Sequence, residues 1–164
     1  MDYKIIDNFL PKDLSNTIHD VLLTSQYTNW YLQNDISGSE SIDDNLLFYM
    51  THLYYADYTV KSNDFTWIQH IMQKMDIKAL IRVKANLYPR TEFLHIHSQH
   101  TDYPYSHKGA IYYVNDNDGF TILNGDVRVE SKQNRLLLFD PSIPHQSTTC
   151  TDARYRVNIN FNYF

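Results

Sequence analysis

The stretch HIHSQHTDYPYSHKG, residues 95–109, carries four of the chain's eight histidines and an aspartate. Imidazole nitrogens and carboxylate oxygens are donors that hold first-row transition metals, so metal binding is the chemistry this composition suggests. Spacing separates the four histidines. In a strand, residues i and i+2 point to the same side, so His100-Thr101-Asp102 sets an imidazole and a carboxylate where both reach one ion. It is the only His-x-Asp in the chain. His95 and His97 have the opposite parity and are expected to face away in a regular strand. His107 opens the next strand and reads as ordinary.

Two imidazoles and one carboxylate on one face of a six-coordinate ion leave three positions open, the donor set of non-haem Fe(II) oxygenases. A second imidazole must therefore come from elsewhere. His145, in LLLFDPSIPHQSTT (136–149), follows an apolar strand and a turn bracketed by prolines, which returns the chain toward the first pair. The C-terminal run supplies another part. Arg154, Arg156, Asn158, Asn160 and Asn162 alternate with Tyr155, Val157, Ile159, Phe161 and Tyr163, so one strand face is polar throughout and the other apolar. A polar face of this kind fits the wall of a pocket, where a guanidinium grips a carboxylate bidentately.

The elements that must position these residues divide the chain in two. YKII (3–6) reads as a short strand. PKDLSNTIHDVLL (11–23) has Pro11 at a first helical position and Leu14, Ile18, Val21 and Leu22 on one side, and NDFTWIQHIMQKM (63–75) has Asn63 or Asp64 as cap and Phe65, Ile68, Met72 and Met75 as a stripe. Both stripes read as core, and His19 and His70 as ordinary helix histidines. From residue 79 the pattern changes to short β-like runs: ALIRVKANLY, GAIYYVN, FTIL, DVRVE, RLLLFD and YRVNINFNYF. Asn124-Gly125 is the strongest hairpin signal. The polar stretch 34–45 reads as a surface loop. Together these predict one α+β domain over 1–164, with helical support in about 1–78 and a β sandwich or jelly roll in about 79–164.

Composition bounds the function classes. The formal charge is −5, from 14 Lys and Arg against 19 Asp and Glu, and no basic run exists, so nucleic acid is a disfavoured partner. No stretch has the apolar length of a membrane span and the N-terminus lacks the pattern of an export signal, so a cytoplasmic protein is expected. The single cysteine, Cys150, rules out an internal disulfide and reads as a small strand residue rather than a nucleophile. Fourteen Tyr and eight Phe against four Gly lean toward β structure.

The ordered blocks NLYPRTE, HTD, AIYYVND, NRLLLFDPSIPH and RYRVNINF resemble the iron(II) and 2-oxoglutarate-dependent dioxygenases, in the prolyl-4-hydroxylase-like branch, and look like the short versions of bacteria and tailed phages. The resemblance covers roughly residues 79–164. It implies a double-stranded β-helix, or jelly roll, with N-terminal helices packed on one sheet. It also implies His100, Asp102 and His145 as iron ligands, with 2-oxoglutarate and O2 as cosubstrates and ascorbate as a reductant. The family's basic residue, which pairs with the distal carboxylate of 2-oxoglutarate, lies nine to eleven positions after the second histidine, where Arg154 and Arg156 compete. Arg156 is preferred, because Arg156-Val157-Asn158 resembles the family's Arg-x-Ser; Arg154 is then a rim residue. Tyr113 resembles the tyrosine that bonds the same carboxylate, and Tyr88 one near the iron end; Asn86 shares the face of Tyr88. The expected reaction is hydroxylation of an unactivated C–H bond with decarboxylation of 2-oxoglutarate to succinate. The expected substrate is a peptide, through a prolyl or other side chain, or a small molecule.

Two other classes stay open. His95-x-His97 followed by Asp102 imitates a cupin metal motif, which gives a metal enzyme or sugar-binding module without 2-oxoglutarate, but lacks the flanking glycines and leaves the last strand's arginines unexplained. A non-catalytic binding member of the same family is the other. Lid or substrate contacts are expected from 34–45 or 103–109, and oligomeric state is left open.

Overall fold

Strand β11 (Tyr155–Tyr163) lies at the centre of the molecule because both its faces are buried. It pairs antiparallel with β5 (Leu80–Pro89) on one side and β6 (Lys108–Tyr113) on the other. The sheet continues outward through β9 (Arg135–Phe139) to β1 (Lys4–Ile6), and through β3 (Tyr49–Ala56) to β2 (Tyr31–Gln33), with the short β4 (Thr59–Val60) on β3. A smaller sheet has the order β10 (His145–Gln146), β7 (Phe120–Leu123), β8 (Val127–Glu130). This computed structural model describes residues 2–26, 28–34 and 47–164.

From β5 onward the chain passes back and forth between the two sheets, β6 and β9 in the large one and β7, β8 and β10 in the small one. The segment after β5 joins the small sheet through two isolated bridges, Ile96 with Thr148 and His100 with His145. The β7–β8 hairpin turns through Asn124 and Gly125, both at positive φ (50° and 82°), the conformation for which the Asn-Gly pair is suited. Asn134, also at positive φ, ties the N-terminus to the β8–β9 connection: its side chain accepts from Leu10 N at 2.8 Å and donates to Leu10 O at 2.8 Å.

Two apolar clusters fill the layers. The first joins Ile18 and Leu22 of α1 (Lys12–Leu23), and Ile68 and Ile71 of α2 (Phe65–Met72), to Tyr54, Val83, Ala85, Val157, Ile159 and Phe161 of the large sheet. The second joins Ile111, Tyr113, Leu137 and Phe139 of the large sheet to Leu123 and Val129 of the small one. Each such Val, Leu, Ile or Phe side chain contributes about 1.5–3 kcal/mol when fully buried.

The six runs expected after residue 79 are all strands. The strand expected at 3–6 is β1, but the first 78 residues differ from the expected helical support, since they also contribute β2 to β4 to the large sheet. β3 has no strict alternation because both of its sides are partly covered, and it escapes a periodicity reading. Pro11, expected inside α1, is its N-cap with ψ 142°, outside helical space. α2 is shorter than expected, ending at Met72, where the chain tightens into 3₁₀-type bonds from Lys74 N to Ile71 O and from Met75 N to Met72 O. Of the expected stripe Ile68 is fully buried, and Phe65, Met72 and Met75 are partly buried against the same core, which Ile71 also joins. Of the expected loop 34–45, only Asn34 is among the described residues.

Candidate metal centre and its cavity

His100 and His145 are held opposite each other by a pair of backbone hydrogen bonds, His100 N to His145 O at 3.0 Å and His145 N to His100 O at 2.9 Å. Their ring centroids are 4.5 Å apart. Asp102 is pinned to the other side of the proline turn, its N–H donating to Pro141 O at 3.0 Å. Gly109 makes room for that turn, since a Cβ there would lie 2.6 Å from Pro141 Cγ. His100 and Asp102 therefore converge without lying in a regular strand: the cross-links to β10 and to Pro141 replace the assumed strand geometry. The donor atoms of His100, Asp102 and His145 all lie within 4.8 Å of one another.

The surroundings orient these donors. His145 Nδ1 lies 3.0 Å from Ile143 O and His100 Nδ1 3.4 Å from Ser98 O, contacts that favour the proton on Nδ1 and leave each Nε2 lone pair free for an ion. The Asp102 carboxylate accepts from Arg82 Nη2 (3.1 Å), Asn162 Nδ2 (2.8 Å) and Asn160 Nδ2 (3.4 Å). Burial alone would raise its pKa, but Arg82, His145 and Asn162 together hold it below the usual carboxylate value. Burial, reinforced by His145, pushes His100 down to about 4, so the ring is neutral at physiological pH, the state that binds metal.

Arg156 sits next to this group with no exposed surface. Its Nε donates to Ser131 Oγ (2.8 Å), Nη1 to Ser147 Oγ (2.7 Å) and Nη2 to Thr121 Oγ1 (3.1 Å). The guanidinium lies 5.5 Å from the Tyr88 ring centroid and 5.8 Å from that of Tyr113, whose hydroxyl donates to Thr121 Oγ1 at 2.8 Å. Burial raises the pKa of both phenols and lowers that of Arg156. No carboxylate among the described residues pairs with Arg156. Gly119 is required beside it, because a Cβ there would meet Arg156 Cδ at 2.6 Å and Thr149 O at 2.6 Å. Arg154 is exposed, its guanidinium 5.9 Å from the Tyr155 ring centroid, and does not join the group. Asn158 is buried and accepts from Asn86 Nδ2 at 2.9 Å.

A cavity of about 190 Å³ opens on the donor group, lined by Tyr49, Arg82, Lys84, Tyr88, His97, His100, Thr101, Asp102 and Ser147. Several of these escape sequence reasoning. His97, expected to face away, lines the cavity with its ring 5.2 Å from that of Tyr88, because the parity rule fails where residues 91–102 touch the small sheet only at isolated bridges. His107, read as ordinary, supports Asp102 indirectly: Asn162 Nδ2, which donates to Asp102, also lies 3.1 Å from His107 Nε2. Arg82 is in register with Asn162, and that pairing is what carries it to Asp102. Tyr49 stacks on Tyr88 at 5.5 Å. Lys84 is pushed down to about 8 by burial and by neighbouring Arg82, with Asp102 opposing. Burial pushes the Cys150 thiol up to about 11, which leaves it inert as a nucleophile. A larger groove of about 830 Å³, lined by Phe9, Lys74, Leu138 and Phe164 among others, contains none of the three donors.

No protein-family model and no curated protein matches the chain. Solved structures do. A prolyl hydroxylase from Trichoplax adhaerens, in complex with a peptide fragment of the hypoxia inducible factor oxygen degradation domain, aligns over 99% of this chain and 83% of its own, with TM-score 0.64 and 18% identity. A Pseudomonas putida prolyl-4-hydroxylase aligns over 98% and 91%, with TM-score 0.60 and 13% identity. An oxidoreductase of the 2OG-Fe(II) oxygenase family from Burkholderia pseudomallei aligns over 98% and 84%, with TM-score 0.63 and 9% identity. At these identities the likeness is one of fold, and the fold is that of the prolyl hydroxylases and 2OG-Fe(II) oxygenases, the branch whose motifs the sequence resembles.

Proposed function

We propose that this chain is a single-domain Fe(II)- and 2-oxoglutarate-dependent dioxygenase, its two sheets forming a double-stranded β-helix, that hydroxylates an unactivated C–H bond of a peptide or amino-acid substrate. The observation that carries the reading is the pairing of two features: two imidazoles and a carboxylate converging within 4.8 Å, and beside them a fully buried guanidinium without a counter-ion among the described residues. A buried cation met only by hydroxyls and a carbonyl is costly unless an anion completes it.

The residues present fit both groups. His100 Nε2, His145 Nε2 and an Asp102 oxygen would hold the iron, leaving the coordination positions that 2-oxoglutarate and O2 need. Arg156 would take the distal carboxylate, with Tyr113 and Thr121 beside it and Tyr88 toward the metal end. When bound, ferrous ion and 2-oxoglutarate supply O2 activation coupled to decarboxylation, which yields succinate and the oxidising power for C–H cleavage. The chain's own part is to fix donor geometry through Ile143 O, Ser98 O, Arg82 and Asn162, to keep the His100 imidazole neutral, and to exclude water from the guanidinium. The peptide bound by the Trichoplax relative supports a peptide substrate here.

The test is spectroscopic. Anaerobic addition of Fe(II) and 2-oxoglutarate is expected to produce the weak visible metal-to-ligand charge-transfer band, and Arg156→Ala to shift its formation to higher 2-oxoglutarate. A folded sample that shows no band would overturn the proposal. The cupin-type alternative is not favoured, since among the described residues His95 and His97 do not join the converging donors.

A further inference from the structure

We propose that Lys84 selects the substrate by taking a carboxylate, so that the molecule hydroxylated is an acidic one: a peptide with an acidic side chain near the oxidised carbon, or a free amino acid held by its α-carboxylate. The inference rests on the dioxygenase reading and deepens it. Lys84 lies on β5 in register with Asn160 of β11 and Leu53 of β3, on the same face as Arg82, Asn86 and Tyr88. Its half-buried side chain lines the cavity with His100, Asp102 and Tyr88. The ammonium lies 5.7 Å from the centroid of the Tyr49 ring, and among the described residues it has no hydrogen bond or ion pair.

Among the described residues the acid that lines this cavity is Asp102, and it is already engaged by Arg82, Asn162 and Asn160 as well as being aimed at the proposed metal position. Lys84 therefore faces the cavity with its charge unbalanced. In a chain of net charge −5, Arg82, Lys84 and the adjacent Arg156 meet a single carboxylate among the described residues here, so their local field is opposite in sign to that of the whole molecule and draws anions in. Ferrous ion and 2-oxoglutarate carry equal and opposite formal charges, so loading the site leaves this excess in place. Arg156 lies against Tyr88 and Lys84 against Tyr49, so the two cations address different parts of the site. A substrate carboxylate satisfies the second of them with a charge-assisted hydrogen bond.

The experiment compares matched probes on protein loaded anaerobically with Fe(II) and 2-oxoglutarate: Ac-Pro-Glu-NH2 against Ac-Pro-Gln-NH2, and free L-proline against L-prolinamide. Binding is read from perturbation of the charge-transfer band and, independently of turnover, from the melting shift of Zn(II)-loaded protein. Wild type is expected to favour the acid of one pair by about tenfold or more, and Lys84→Met to cut that preference to about twofold or less. The peptide pair reports a side-chain source and the proline pair an α-carboxylate. Lys84→Arg should keep the preference and Lys84→Glu should reverse it, with melting curves showing that each variant folds. A preference in neither pair, an undiminished preference in Lys84→Met, or a raised 2-oxoglutarate requirement in its place would overturn the assignment. If the charge-transfer band never forms, the dioxygenase reading fails, while the zinc-loaded arm still decides whether Lys84 recognises a carboxylate.

Discussion

The two faces of β11 are equally buried and chemically opposite. On one side Val157, Ile159 and Phe161 are 1%, 1% and 0% exposed and pack against the helices. On the other, Arg156, Asn158, Asn160 and Asn162 are 0%, 4%, 9% and 0% exposed. Burial does not tell core from site here; satisfaction of partners does. The apolar face is complete by itself. Among the described residues, the polar face leaves Arg156 without a carboxylate and Asn86 Oδ1 and Asn160 Oδ1 without a hydrogen bond. One strand thus supplies stability on one side and an unfinished binding surface on the other, and substitutions on the two sides should fail in different ways.

The largest effect is expected on the polar side, at the donors. His145→Ala and His100→Ala should each abolish iron-dependent turnover while the domain still melts cooperatively, because each removes a proposed metal donor; His145→Ala also gives up one ring contact to Phe139 at the edge of the second apolar cluster. Asp102→Ala should abolish turnover and also lower the melting temperature, since it strands the Arg82 guanidinium at a partly buried position. A His145→Ala protein that binds Fe(II) as tightly as wild type in an anaerobic titration would break the comparison.

The apolar side should show the reverse. Phe161→Ala is expected to cost about 3–5 kcal/mol of unfolding free energy from the cavity it leaves between the sheet and the helices. At a denaturant concentration low enough to keep the variant folded, its 2-oxoglutarate dependence should match wild type. A changed cosubstrate dependence with little loss of stability would mean that the two faces are coupled rather than separate.

Arg156 sharpens the contrast further. Arg156→Met keeps much of the volume and removes an uncompensated buried charge, so its unliganded form is expected to be as stable as wild type or more so, by about 1–4 kcal/mol. The same change should remove the stabilisation that saturating 2-oxoglutarate gives the wild type, about 2.7 kcal/mol at a hundredfold excess over Kd. Chemical denaturation with and without 2-oxoglutarate measures both. Wild type that is more stable than Arg156→Met without ligand would mean that the guanidinium belongs to the core after all.

How much of this is legible in the sequence follows from what each feature depends on. β5 to β9 and β11 are written in local patterns of β-branched and aromatic residues, and β11 declares its two faces by alternation alone. His100 and Asp102 are readable because donor type and spacing are local properties; His145, 45 positions on, is readable only through the apolar strand and proline turn before it and through the family resemblance. Arg82 is not, because it reaches Asp102 only through the β5–β11 register, which no local pattern encodes. Ser131, Ser147 and Thr121 around Arg156 come from three separate segments and carry no signal beyond being hydroxyls. His97 misleads because its parity is defined only in a strand that does not form. Gly119 acquires its meaning from Arg156 Cδ, and that contact exists only once the fold is closed.

The smallest expected effect lies outside both faces, at the edge of the large sheet. Asp7, just after β1, accepts from Arg135 Nε at 2.6 Å and Nη2 at 3.1 Å, and from Lys132 Nζ at 3.3 Å. Hydrogen bonding from Arg135, with Lys132 adding to it against a small burial penalty, lowers the Asp7 pKa from 3.8 to about 2. A depressed carboxylate contributes stability that is fully present above pH 3.8 and is lost as pH falls through about 2. Because the side chain is 36% exposed, solvent and salt screen the pair, and Asp7→Asn is expected to cost less than about 1 kcal/mol at neutral pH. The difference in melting temperature between wild type and Asp7→Asn should narrow on going from pH 6 to pH 3 and shrink in high salt, with 2-oxoglutarate dependence unchanged. A difference that persists at low pH would show that the aspartate holds β1 to β9 through geometry rather than through its charge.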